Sequence, residues 1–261
     1  MDLIQTITLG FIQGVTEWLP ISSTGHLRLT EYFWNLKVPI LFDGLLHVGT
    51  LIVTLFFFRK DIKNILVALA KRNFKTENGK LIPLIIVGTV PTALIGVFFG
   101  NAIEAFFSSF LPIAGAFAVC GVALYSSKIG NENKAGIGYL EALIIGAAQG
   151  IAIIPGLSRS GLTIAVALLL GIKREKAFQF SFLLSVPAVI GALGLTFYTQ
   201  HDVLTLAGVD WTEILAGVAV SAVIGYFALR LLKRIVADKK FFFFAFYCWL
   251  LSIVLAVLSL V

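Results

Sequence analysis

Two short polar segments interrupt an otherwise apolar chain, and both carry residues able to do chemistry. The first reads Gln13-Gly-Val-Thr-Glu17-Trp-Leu-Pro20-Ile-Ser22-Ser23-Thr24-Gly25-His26. Gln13 and Glu17 are four apart, so on a helix they share a face. A carboxylate in an apolar helix is costly unless it is paired, hydrated or bound to a metal ion; a Glu at the membrane surface is the simpler alternative. Beyond Pro20, the hydroxyls of Ser22, Ser23 and Thr24 stand where N-cap residues belong, in front of the next helix's free N–H groups. Capping accounts for one or two of them. His26 follows one turn later, within reach of the same space as an acid or base, or else as a hydrogen-bonded core residue.

The second segment reads Pro155-Gly156-Leu157-Ser158-Arg159-Ser160-Gly161-Leu162-Thr163. Arg159 is the only basic residue between Lys134 and Lys173. Its planar donor fork matches phosphate oxygens, and burying it without an anion would be unfavourable; the structural alternative is an ion pair with Glu17. Ser158 and Ser160 again place hydroxyls at a half-helix N-terminus. Two such positive helix ends converging on Arg159 would form a phosphate-sized anion site.

The elements that must position these residues belong to a membrane. The 261 residues are 59% hydrophobic and 13% charged, with a mean hydropathy of +0.97; a soluble domain carries roughly twice that charge. Runs such as Leu41 to Phe58, Leu81 to Gly100 and Phe241 to Val261 are long and apolar enough for helices that cross about 30 Å of hydrocarbon. The net charge of +6 sits in short loops and forms no arm or amphipathic stripe, which argues against nucleic acid as a partner. No basic stretch precedes the first apolar run, so no cleavable signal peptide is expected. Cys120 and Cys248 lie inside apolar spans without a nearby partner in sequence and read as packing residues.

Lys and Arg concentrate in Arg59 to Lys80, Lys128 to Lys134, Lys173 to Lys176 and Arg230 to Lys240, whereas Asn101 to Phe110 and Gln200 to Asp210 hold Glu104, Asp202 and Asp210 but no Lys or Arg. The positive-inside rule places the basic clusters in the cytoplasm and the acidic connections outside. Tyr139 to Ile172 then enters and leaves on one side, as a re-entrant hairpin broken at Pro155-Gly156. Leu3 to Trp34, broken at Pro20, forms a second hairpin that opens outward. The fold class expected is all-α: six transmembrane helices plus two re-entrant helical hairpins in one membrane domain spanning residues 1–261.

Gly10, Gln13, Gly14, Ser22 and Gly25 recur 136 positions later as Gly146, Gln149, Gly150, Ser158 and Gly161. Each half, about 1–130 and about 137–261, then reads as a hairpin plus three spans, an inverted-topology repeat. Irregular backbone at membrane depth is tolerated only where protein or a wet cavity satisfies it, so the two breaks should meet. Gly-rich stretches such as Gly191 to Gly194 would pack within one chain or between chains, which leaves a homodimer as one expectation. The Phe241 to Phe244 run reads as lipid-facing or interfacial.

Gln13-x-x-x-Glu17 with Pro20-Ile-Ser-Ser-Thr-Gly-His26, followed by Pro155-Gly-x-Ser-Arg-Ser-Gly-x-Thr163 and Phe180-Ser-Phe-Leu-Leu-Ser-Val-Pro187, resembles the undecaprenyl-diphosphate phosphatases linked to bacitracin resistance. The resemblance covers essentially the whole chain. It implies hydrolysis of undecaprenyl diphosphate to undecaprenyl phosphate and inorganic phosphate, recycling the lipid carrier of peptidoglycan synthesis. It also implies a divalent cation, Mg²⁺ or Ca²⁺, and a site open to the outer side of the bacterial cytoplasmic membrane. Its catalytic residues fall on Glu17, Ser23, His26 and Arg159, with Glu17 anchoring the cation or acting as base. Gln13, Ser22, Thr24, Ser158, Ser160 and Thr163 complete the substrate-binding set. The family admits Glu or Gln at the first motif position; here Gln13 leaves one carboxylate.

The expected mechanism has Ser23 as nucleophile with His26 activating it, against direct attack by His26 or by water. The rival reading is a secondary transporter or flippase of an anion or lipid phosphate, since inverted repeats with broken helices are common among transporters. A carrier, however, needs binding groups and no nucleophile with its activator.

Overall fold

The computed structural model describes residues 2–36, 38–107, 109–206 and 211–260, and it is helical nearly throughout. Helix α1 (Leu3–Trp18) starts on a capping box, Asp2 accepting from the Gln5 N–H and Gln5 reaching back to the Asp2 N–H. It stops just before Pro20, which cannot continue a helix. Helix α2 (Ser23–Phe33) is capped by Ser22, whose backbone sits at φ 67°, in the left-handed region. Helix α3 (Ile40–Phe57) turns through 75° into α4 (Arg59–Ala70). The first basic connection therefore begins as a helix inclined steeply to the span before it.

Helices α5 (Glu77–Phe106) and α6 (Phe110–Ser126) complete the first half. The second half holds the short pair α7 (Tyr139–Ile151) and α8 (Arg159–Leu169), then α9 (Arg174–Leu206), α10 (Trp211–Ala237) and α11 (Phe244–Leu258). Among the described residues five helices are long and apolar enough to cross a membrane, and the bent α3–α4 pair supplies a sixth. Together with the pairs α1/α2 and α7/α8 this is the multi-pass architecture expected. The outer surface is that of a protein solvated by lipid: Val97, Phe98, Leu250 and Ile253 all face outward.

Sequence and packing agree on a recurring plan. Helix α1 lies along α10, and its counterpart α7 lies along α5. A Cβ on Gly10 would strike the backbone of Gly217, and one on Gly146 would strike the backbone of Gly88. Gly10 and Gly146 are 136 positions apart, and Gly88 and Gly217 are 129 apart, so the same close backbone approach is made twice, each time between one half and the other. Small residues permit this approach where no hydrophobic drive separates protein from lipid.

Several expectations need revision. The connection from Asn101 is mostly helical, because α5 runs on to Phe106. Helix α9 likewise continues to Leu206, while Asp210 and the side chains of Glu104 and Asp202 lie outside the described residues. Cys120 and Cys248, 128 residues apart in sequence, are neighbours whose thiols interact, because α6 packs along α11. Phe241 is fully buried, whereas Phe243 is exposed. A Cβ at Gly191 or Gly194 would meet nothing within 4 Å, so these glycines do not serve packing within the chain.

Gly156 has φ +98°, and a Cβ there would come within 2.8 Å of both the Ala116 methyl and the Ile113 carbonyl. A Gly156→Ala substitution is therefore expected to cost about 1–3 kcal/mol through backbone strain alone. Thermal unfolding in detergent should show it as a lowered Tm.

Candidate anion-binding active site

The two breaks meet, and they satisfy each other's backbone. The Gly156 N–H donates to Ser22 Oγ at 3.1 Å, and the Ser160 hydroxyl donates to the Trp18 carbonyl at 3.0 Å. The Cys248 thiol, from α11, donates to the Pro20 carbonyl at 3.6 Å. These contacts supply what unpaired backbone would otherwise lack at membrane depth. They also bring the first turns of α2 and α8 to one place.

At that place stands Glu17, on the last turn of α1 and 7% exposed. Its Oε1 receives the Arg159 guanidinium. Its Oε2 receives the Ser23 hydroxyl at 2.6 Å and the Gln13 amide at 3.2 Å, and His47 Nε2 lies 3.3 Å from it. One carboxylate thus gathers groups from α1, α2, α3 and α8. Arg159 passes over the Trp18 ring, 5.9 Å from its centroid. It borders a small cleft walled by Trp18, Ser160, Thr163, Ser181, Phe182 and Ser185, so the Phe180 to Pro187 motif forms one side of the site.

The hydroxyls divide by duty. Ser22 Oγ accepts the N–H groups of Gly25 and Gly156. Ser158 Oγ caps α8 through the Gly161 N–H at 3.1 Å and lies 3.2 Å from Ser160 Oγ. Thr163 donates to the Arg159 carbonyl at 2.8 Å. Ser160 and Thr163 therefore spend their hydrogens on backbone carbonyls, and their expected role as anion donors is revised to holding the breaks in shape. Ser22 keeps a hydroxyl hydrogen beyond the N–H groups it accepts, whereas the Ser158 hydrogen goes to Ser160 Oγ, whose own is given to Trp18. Thr24 is half-buried on the first turn of α2.

His26 stands elsewhere than expected. Its Nδ1 lies 2.7 Å from the Ser22 carbonyl and its Nε2 lies 2.6 Å from the Tyr247 hydroxyl, with the ring stacked on Tyr247. Both nitrogens are engaged away from Ser23, because the hydrogen bond one turn back along α2 holds the ring toward α11. The partner of Ser23 is Glu17. The residue that sequence reasoning missed is His47, on α3. The available signal was an ionisable ring inside a span, obscured because Leu41 to Phe58 counts as nearly uncharged.

The donor set around Glu17 does not suit a resident divalent cation. Both carboxylate oxygens already face protein donors, two of them from Arg and His, and position 13 contributes an amide N–H rather than a second carboxylate. Among the described residues no group of three or more His, Cys, Asp or Glu side chains is placed to hold a metal ion.

A helical multi-pass membrane protein with two broken hairpins closing on a buried carboxylate, an arginine and a serine defines a class of intramembrane anion site. Comparison by sequence gives the family. The chain belongs to the bacitracin resistance protein BacA family, whose model matches residues 6–254. It is similar to the undecaprenyl-diphosphatase of Carboxydothermus hydrogenoformans, 40% identical over 99% of this chain and 98% of that one. Similarity to the proteins of the same name from Halothermothrix orenii (41% identical, 99% of each chain) and Methanosphaera stadtmanae (38% identical, 100% of this chain and 99% of that one) is equally extensive.

Replacing Ser22 by Ala would leave the Gly156 and Gly25 N–H groups without their acceptor. The expected loss is about 1–3 kcal/mol of stability. Amide exchange at Gly156 should accelerate more than at the caps of α5.

Proposed function

We infer that this protein is an integral membrane phosphatase that hydrolyses undecaprenyl diphosphate to undecaprenyl phosphate and inorganic phosphate. That reaction recycles the lipid carrier of cell-wall synthesis and so underlies bacitracin resistance. Family membership and full-length similarity to undecaprenyl-diphosphatases support the substrate. The observation that carries the chemistry is the 2.6 Å hydrogen bond from the Ser23 hydroxyl to Glu17 Oε2, a nucleophile already in contact with a base.

In this reading the Arg159 fork and the N-termini of α2 and α8 receive the diphosphate, whose charge their donors complement. Ser23 Oγ attacks the terminal phosphorus as its proton passes to Glu17 Oε2, and the bond to the bridging oxygen breaks. Undecaprenyl phosphate leaves. A phosphate-stabilised oxygen is a good leaving group, so the step is governed by positioning and charge neutralisation. Water then attacks the phosphoseryl group, freeing inorganic phosphate and restoring the hydroxyl. A divalent cation, Mg²⁺ or Ca²⁺, would supply further neutralisation of the diphosphate charge. The isoprenoid tail stays in the lipid surrounding the apolar outer surface. The twofold recurrence of the Gly–Gly approach between the halves and the basic clusters between spans support an inverted repeat, with the site open to the outer face of the cytoplasmic membrane.

Purified protein in detergent should release phosphate from undecaprenyl diphosphate. Glu17→Ala and Arg159→Ala should each lower kcat/KM by on the order of 100-fold or more. Unchanged release from both variants would overturn the assignment of this site. Rapid quenching followed by mass spectrometry should find a phosphoryl group on Ser23, and Ser23→Ala should abolish both label and turnover. Normal turnover by the Ser23→Ala variant would assign the attack to water.

A further inference from the structure

We propose that Ser181, on α9, is a further substrate-binding residue of this site: its hydroxyl donates to a non-bridging oxygen of the terminal phosphate while the free edge of Arg159 holds that phosphate. The inference rests on the phosphatase reading above and goes beyond it by giving the Phe180 to Pro187 motif a part in binding.

The first observation is an unmet hydroxyl. Ser181 is 4% exposed, and its Oγ is buried without a hydrogen-bond partner. A serine or threonine inside a helix ordinarily gives its hydrogen to a carbonyl three or four residues back, as Ser185 does to Phe182 and Thr163 to Arg159. Ser181 does not. Burying a hydroxyl with nothing to bond is unfavourable, so this position calls for a partner that the chain itself does not supply.

Its surroundings show which kind of partner. Ser181 lines the cleft that Arg159, Trp18, Ser160 and Thr163 also border. A guanidinium carries five N–H donors, and among the described residues the one acceptor that meets Arg159 is Glu17, through Nη2. Ser160 and Thr163 give their hydrogens to backbone carbonyls. The hydrogens left over at the cleft are therefore those of the guanidinium and of Ser181. Two sets of unspent donors, one of them charged, suit an anionic oxygen.

Size narrows the guest further. The cleft has room for one water-sized group, which matches a single phosphoryl oxygen and excludes a whole phosphate. Arg159 reaches from Glu17, the partner of Ser23, to this cleft. A phosphate laid along its edge thus presents one oxygen to Ser181 and leaves its phosphorus open to Ser23. Helix α9 thereby joins α2 and α8 in gripping the head group, and the hydroxyl that the empty protein leaves idle is used only when substrate is bound.

Binding and stability should consequently part company at this residue. Ser181→Ala is expected to leave the Tm of the phosphate-free protein in detergent unchanged or raised, because the hydroxyl it removes has no partner to lose. The same variant should weaken the affinity for inorganic phosphate, read by ³¹P NMR titration of the purified protein, by on the order of 10-fold or more. Its kcat/KM for undecaprenyl diphosphate should fall by a similar factor. A lowered Tm accompanying the loss would mark Ser181 as structural, and an unchanged phosphate affinity would assign the cleft to a water molecule; either result overturns the proposal. Should the unsubstituted protein bind phosphate through Ser181 yet release none from undecaprenyl diphosphate, the phosphatase reading fails while the anion subsite stands.

Discussion

Everything in this molecule that could act on a phosphate is organised around one ionised carboxylate that lipid would not tolerate alone. A buried carboxylate without partners costs several kcal/mol and would lose its charge. Glu17 keeps it because α1, α2, α3 and α8 each deliver a donor to its two oxygens. The requirement works in both directions. Arg159 is equally untenable at that depth without an anion, so the two hairpins are held to each other by a mutual need.

The breaks that create the site also solve the problem they pose. Pro20 and Pro155-Gly156 end two half-helices where no water is available, and the exposed backbone groups are taken up across the interface by Ser22, Ser160 and Cys248. The serine and threonine hydroxyls are therefore of two kinds. Those that face backbone give the breaks a fixed shape, whereas Ser23 faces the carboxylate. A motif rich in hydroxyls conceals this division because both duties draw on the same residue types.

Much of this was legible in the sequence, for reasons that can be named. The arms of both hairpins end close to where proline and glycine forbid helix, and Glu17 and Arg159 stood out because an ion in an apolar run has few explanations. Gly10 and Gly146 stood out at matching positions, and close backbone approach leaves no other residue available at either. What escaped were contacts that depend on which helices become neighbours. His47 sits in a span whose composition hides it, the pairing of Cys120 with Cys248 needs α6 beside α11, and the orientation of His26 is set by Tyr247, 221 residues away. Local pattern cannot encode those, since a long-range neighbour leaves no trace in spacing.

Arg159 follows Glu17 by 142 residues, and this separation shapes how the protein comes into being. At a synthesis rate of about 5–20 residues per second, the carboxylate leaves the ribosome on the order of ten seconds before its arginine exists. Through that interval the first hairpin must wait with its acid neutralised by a borrowed proton or sheltered in the insertion machinery. Arrival of the second hairpin then gives the acid its arginine, and α10 and α11, made later still, close against α1 and α6, so a nascent chain becomes competent for catalysis only when its last-made half has been threaded into the bilayer.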